Sequence, residues 1–179
     1  MTRLPYTDPA DASPPVAEAL AKLPDLNLFR MLAQADSAFV PWLRYGGALL
    51  GRLALDPVRR ELAILHVARL CGSEYELVQH REIALVVGAS AAQVRAVEDG
   101  ETAGLGEDLE AILEFTGEAV RDLAASPAAL DAVRAFLSPR EVVELLLVIG
   151  HYVAIARVVA TLGIEPDDPA QLEVISRKD

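Results

Sequence analysis

The stretch "RELAILHVARLCGSEYELVQHREIALVVG", residues 60–88, decides how this chain folds. Just upstream, Asp56-Pro57 supplies an N-cap and a proline at the first helical position, and Gly72 stops the helix that follows. Apolar residues recur at three- and four-residue spacing on both sides of that glycine, which predicts two helices folded back on each other. Ser73-x-x-Glu76 has the spacing of a capping box, with the serine oxygen accepting from a backbone N–H and the glutamate reaching back to the N-cap.

The same grammar extends outward. Ser90-x-x-Gln93 and Ser138-x-x-Glu141 repeat the capping spacing, and "EDLEAILEFTGEAVRDLA" and "PAALDAVRAFL" have helical periodicity. Segments 28–35 and 37–52 place Phe39, Trp42, Leu43, Leu49 and Leu50 at amphipathic spacing. The prediction is an all-α, single-domain bundle of about seven or eight helices over residues 27–179, with no strand. Residues 1–26, punctuated by Pro5, Pro9, Pro14, Pro15 and Pro24, are expected to form an irregular arm. "RRELAILHVARL" from Arg59 and "PREVVELLLVIG" from Pro139 echo each other, which fits either a duplicated helical unit or chance in a helix-rich chain.

Composition narrows the function classes. Hydrophobic residues make up 53% and mean hydropathy is +0.29, so apolar surface is expected to be buried between subunits, in a homo-oligomer, as well as within one. The formal charge of -11, without a basic stripe, opposes nucleic-acid binding. The apolar run "LLLVIGHYVAIA" carries a histidine, lies between Glu144 and Arg157, and falls short of the ~18 residues of a span, so no membrane association is expected. The N-terminus lacks a signal-type apolar core and Cys71 is the single cysteine, which points to a cytoplasmic protein.

There is no Walker loop, Gly-rich dinucleotide turn, CxxC or HExxH, so chemistry must rest on the three histidines and the glutamates near them. Glu76 and His80, four residues apart, share a helix face. They are either a cap glutamate and a hydrogen-bonded histidine, or an acid–base pair in which a carboxylate stabilised by the helix N-terminus orients His80. The pair supplies only two of the three or four ligands zinc requires, so no metal is expected. Glu61 shares a face with Ile64, Leu65 and Ala68, and a carboxylate there needs a partner. His80 is the candidate if the helices fold back at Gly72. His66 falls on another face and is expected at a rim or in solvent. His151 is either a core histidine bonded to a neighbour or part of a pocket wall. Cys71 reads as a small buried hydrophobe.

Glu61, eleven residues, Ser73, two residues, Glu76, three residues, His80 resembles the signature of the carboxymuconolactone decarboxylase and alkylhydroperoxidase D-like superfamily. Its redox members carry a Cys-x-x-Cys where Ser73 and Glu76 stand. The wording of residues 60–88 and of "ELLLVIGHYVAIARVVATLGIE" resembles a non-thiol branch, and the likeness spans roughly residues 27–166. The resemblance implies a helical protein assembling as trimers or hexamers, with its pocket beside the helix bearing His80. It also implies no hydroperoxide reduction, since Ser73 and Glu76 are neither nucleophilic nor resolving thiols.

These residues suit a cofactor-independent acid–base enzyme, a decarboxylase, lyase or isomerase acting on a small organic acid, lactone or carbonyl compound. His80 would carry the proton, Glu61 and Glu76 would orient it, and Ser73, Tyr75 and His151 would contact the small-molecule substrate, Tyr75 or His151 as donor to an oxyanion. The alternative is a non-catalytic helical binding or scaffold protein that has lost the thiol site.

Overall fold

A computed structural model describes residues 2–167. Among them are nine helices and no strand: α1 (Pro14–Leu20), α2 (Asn27–Leu32), α3 (Asp36–Gly51), α4 (Pro57–Cys71), α5 (Glu74–Val86), α6 (Ala91–Asp99), α7 (Glu107–Arg121), α8 (Pro127–Val133) and α9 (Pro139–Leu162). The all-α class holds. The helix beyond the expected seven or eight is α1, inside the arm expected to be irregular. Its prolines sit in the first turn, where a missing N–H costs nothing, and Val16 buries against Ala33 and Phe39. The C-terminal part of the expected helical domain, residues 168–179, lies outside the described residues.

Helix α4 is the axis of the bundle, packed by α5, α6, α7 and α9. Every residue from Arg60 to Ala68 is buried, so the helix has no solvent face and the single stripe expected around Glu61 was too narrow. Asp56 caps it by accepting from the Arg59 N–H at 3.0 Å. Gly72 closes it in the left-handed region at φ 64°, and the Ser73 N–H returns to the Ala68 carbonyl at 2.8 Å. That closure turns the chain back into α5.

The 24-residue α9 is long and apolar enough, by length and composition, to cross a membrane, yet it packs lengthwise on α4 with Leu145 and Val148 fully buried. Its Glu144 carboxylate accepts from the Ala54 and Leu55 N–H groups at 2.8 Å each and from Arg140 Nε at 2.8 Å. This clamp holds the α3–α4 connection against α9. At the other end Asp167 accepts from the Asn27 N–H at 2.7 Å, from Gln79 Nε2 at 3.2 Å and from the Tyr75 hydroxyl. One buried carboxylate thereby ties the start of α2 to α5.

The capping boxes at Ser90 and Ser138 form as expected, whereas the one at Ser73 does not. Ser73 makes no side-chain cap bond, and Glu76 turns inward instead of back to the N-cap. Removing the cap at Ser138 by Ser138→Ala should therefore lower stability by about 0.5–2 kcal/mol, and Ser73→Ala by less than about 0.5 kcal/mol. Urea unfolding of both variants reads the difference, and equal losses would contradict the assignment.

Candidate functional site

The α4–α5 hairpin brings Glu61, from the second turn of α4, against His80. His80 Nδ1 lies 2.7 Å from Glu61 Oε2, and Arg60 Nε donates to Glu61 Oε1 at 2.8 Å. Glu61 is fully buried, with Arg60 and His80 nearly so. Burial alone would raise the Glu61 carboxyl, but the hydrogen bond and charge of His80, joined by Arg60, outweigh it and hold the pKa low. An ionised Glu61 accepts from Nδ1–H, so that in the neutral ring the lone pair is the one on Nε2. The ring stands edge-on to Tyr152, with centroids 4.7 Å apart.

His80 borders a cavity of about 320 Å³ enclosed by α2, α3, α5, α9 and the segment before α2. Leu28, Phe29, Trp42, Leu43, Ile83 and Ile155 form much of its wall, and among the described residues no lysine or arginine lines it. Its polar lining residues are Tyr75, Glu76, Gln79, His80, His151 and Tyr152. Among the described residues no group of three or more His, Cys, Asp or Glu is disposed to hold a metal ion.

Glu76 lies one helical turn from His80 and on the same cavity. Neither of its buried carboxyl oxygens has a partner with hydrogen-bond geometry. Burial pushes its pKa up to about 8, and the nearby Ser73 hydroxyl pulls only weakly the other way. The expectation that the helix N-terminus keeps Glu76 a carboxylate orienting His80 is corrected on both counts. Desolvation wins over the dipole, and it is Glu61 that bonds the imidazole.

The remaining expected contacts divide. The Tyr75 ring reaches the cavity, but its hydroxyl donates to Asp167 and accepts from the Leu28 N–H at 3.3 Å, so it is not free to meet an oxyanion. Ser73 is buried and is not part of the cavity wall. His151 is a wall residue, stacked on Trp42 at 5.2 Å and 29° and edge-on to Tyr45 and Tyr152. Burial, helped by His80, lowers its pKa to about 4, leaving a neutral imidazole at physiological pH. Gly46 admits it: a Cβ there would stand 3.2 Å from His151 Nε2.

His66, expected at a rim, is buried instead. It faces a separate polar recess with Arg69 and Arg121, and burial and those two charges lower it to about 4. Sequence reasoning missed Arg60, Trp42, Gln79 and Asp167. Arg60 was signalled by standing next to a glutamate destined for burial. Nothing local marks Asp167, which acts across 92 residues on Tyr75.

The profile of the carboxymuconolactone decarboxylase family matches residues 38–118. No curated protein matches the sequence. A crystal structure described as the alkylhydroperoxidase AhpD core of an uncharacterized peroxidase-related protein from Ralstonia eutropha superposes with a TM-score of 0.83 at 18% identity. That match covers 99% of this chain and 97% of the other. An uncharacterized peroxidase-related protein from Silicibacter gives 0.76 at 18% identity, covering 93% and 92%. A protein of unknown function from Agrobacterium tumefaciens, described as a putative antioxidant defence protein AhpD, gives 0.70 at 16%, covering 76% and 95%. Residues 38–118 thus carry the sequence pattern of the carboxymuconolactone decarboxylase family, and the chain shares the helical fold of the AhpD-like structures.

Proposed function

We propose that the protein is a cofactor-independent acid–base enzyme, a decarboxylase, lyase or isomerase, acting on a small organic acid, lactone or carbonyl compound with His80 as proton carrier. The observation that carries this reading is the 2.7 Å bond from His80 Nδ1 to a buried, charge-paired Glu61, beside a cavity that holds a second carboxyl. Glu61 fixes the imidazole and its tautomer, so that Nε2 takes a proton from a carbon next to a carbonyl. Glu76, protonated at neutral pH, donates its O–H to the carbonyl oxygen as negative charge develops there. Return of the proton to a different carbon isomerises the compound. In a decarboxylation the broken C–CO2 bond supplies the electron pair, and a protonated His80 delivers the proton to carbon.

Dithiol peroxide chemistry lacks its second sulfur, because Cys71 is the single cysteine. Burial and the neighbouring Glu76 raise its thiol pKa against the weaker pull of Arg157, which disfavours the thiolate a peroxidase attacks with. The proposal includes self-association through the outward side of α9, where Val143 is 57% and Leu146 and Leu147 are 44% exposed. Light scattering at micromolar concentration should give a multiple of the 19.2 kDa chain mass, and a monomer would refute this part.

On a compound the wild type turns over, His80→Gln should lower kcat by roughly 10²–10⁴ and leave the circular dichroism spectrum unchanged. An active, folded His80→Gln protein ends the acid–base proposal. Glu76 adds a pH test. Its folded carboxyl keeps the proton up to about pH 8, whereas the unfolded one releases it near 4.5. Between those values the folded state binds more protons, so stability falls as pH rises, by at most about 1.4 kcal/mol per pH unit. Glu76→Gln should flatten that fall between pH 5 and 8 in urea titrations, and an undiminished fall would show that Glu76 is not the group held protonated.

A further inference from the structure

The cavity beside His80 selects by charge and shape, and this narrows the acid–base proposal, on which it rests. Its walls are aromatic and aliphatic on every side, with Phe29 edge-on to Trp42 at 6.5 Å and Trp42 stacked on His151. Its few polar side chains are Tyr75, whose hydroxyl is already bonded to Asp167, Tyr152, the Gln79 amide, the His80 and His151 imidazoles and the Glu76 carboxyl. Among the described residues no lysine or arginine lines it, and the Arg60 guanidinium is already paired to Glu61. A carboxylate entering this space would lose its hydration, find no Arg or Lys partner among the described residues, and face the negative charge of Glu61 through His80.

From this lining we infer that the substrate is an uncharged cyclic or aromatic carbonyl compound, a ketone, ester or lactone, rather than an organic acid anion. Size follows from volume. A dry cavity of about 150 Å³ accommodates benzene, so the about 320 Å³ here fits an occupant of roughly 10–15 non-hydrogen atoms. The protein's own Glu76 reports the same environment, since a carboxyl placed at this wall keeps its proton to about pH 8. Among the chemistries proposed above, isomerase or lyase action on a neutral carbonyl is thereby favoured over decarboxylation, whose substrate arrives as a carboxylate.

Trp42 lines the cavity and is the single tryptophan, so its fluorescence reports occupancy directly. The probes are 4-phenylbutan-2-one and 3-phenylpropanoate, which match atom for atom except that a methyl replaces the carboxylate O⁻. Titrated at pH 7.5, the ketone should saturate the signal with a Kd at least tenfold below that of the anion. Ile83→Phe, which fills space at the cavity wall, should weaken ketone binding at least tenfold. Equal or tighter binding of the anion, no binding of either probe at millimolar concentration, or ketone binding indifferent to Ile83→Phe would each overturn the inference. Ketone binding without turnover of any carbonyl compound would sink the acid–base proposal and leave this assignment standing. Turnover of an organic acid anion would do the reverse.

Discussion

The structure depends on one buried charge. Glu61 is fully enclosed, and an ionised carboxylate in such a place is tolerable only when both of its oxygens are partnered. Arg60, its neighbour in sequence, supplies one partner, and His80, from the next helix, supplies the other. Removing one partner of a buried pair costs roughly 3–5 kcal/mol, because the remaining charge is left without compensation. The requirement fixes the register of α5 against α4, since a slip of one residue along α5 turns His80 away from the carboxylate. The left-handed Gly72 makes that register reachable, and the Glu144 and Asp167 carboxylates hold the flanking connections in place.

Two glutamates in the same site meet opposite fates for a countable reason. Both suffer desolvation, which alone would raise either carboxyl. Glu61 has an arginine and a histidine on its oxygens and is held low, whereas Glu76 has only a weakly placed serine and rises to about 8. The separation needs no metal and no exotic geometry, only a difference in partner count within one hairpin. It is also the separation that acid–base chemistry at neutral pH calls for, with one group ionised behind a base and another holding a proton to give.

Much of this was legible in the sequence because it is local. The Asp56-Pro57 start, the Gly72 stop and the capping boxes at Ser90 and Ser138 depend on residues within four of each other, and all form. The meeting of Glu61 with His80 could be read because a tight turn joins their helices. Where local signals competed with burial they misled: the spacing of Ser73 and Glu76 satisfies the capping pattern, but the bundle draws Glu76 inward. The same effect hid His66, placed at a rim by counting one apolar face on a helix that is buried all round. Contacts across the length of the chain, such as Asp167 with Tyr75 or His151 with Trp42, leave no trace in spacing at all.

The two halves of the site come from different parts of the chain. Glu61, Glu76 and His80 all fall in residues 38–118, the segment that carries the family's sequence pattern. Of the walls, Trp42 and Ile83 fall inside that segment, but Leu28, Phe29, His151 and Ile155 fall outside it. The α4–α5 hairpin can hold a proton-transfer pair whatever stands opposite, because Glu61 draws its partners from within the hairpin itself. Helices α2 and α9 complete the enclosure and set its size and polarity, while the hydrogen bonds to the Glu61 carboxylate come from Arg60 and His80. On the acid–base proposal, then, the shared segment supplies the chemistry, and the elements packed around it decide which molecule that chemistry reaches. A chain that keeps the hairpin and changes α2 would keep its proton carrier and meet a different substrate.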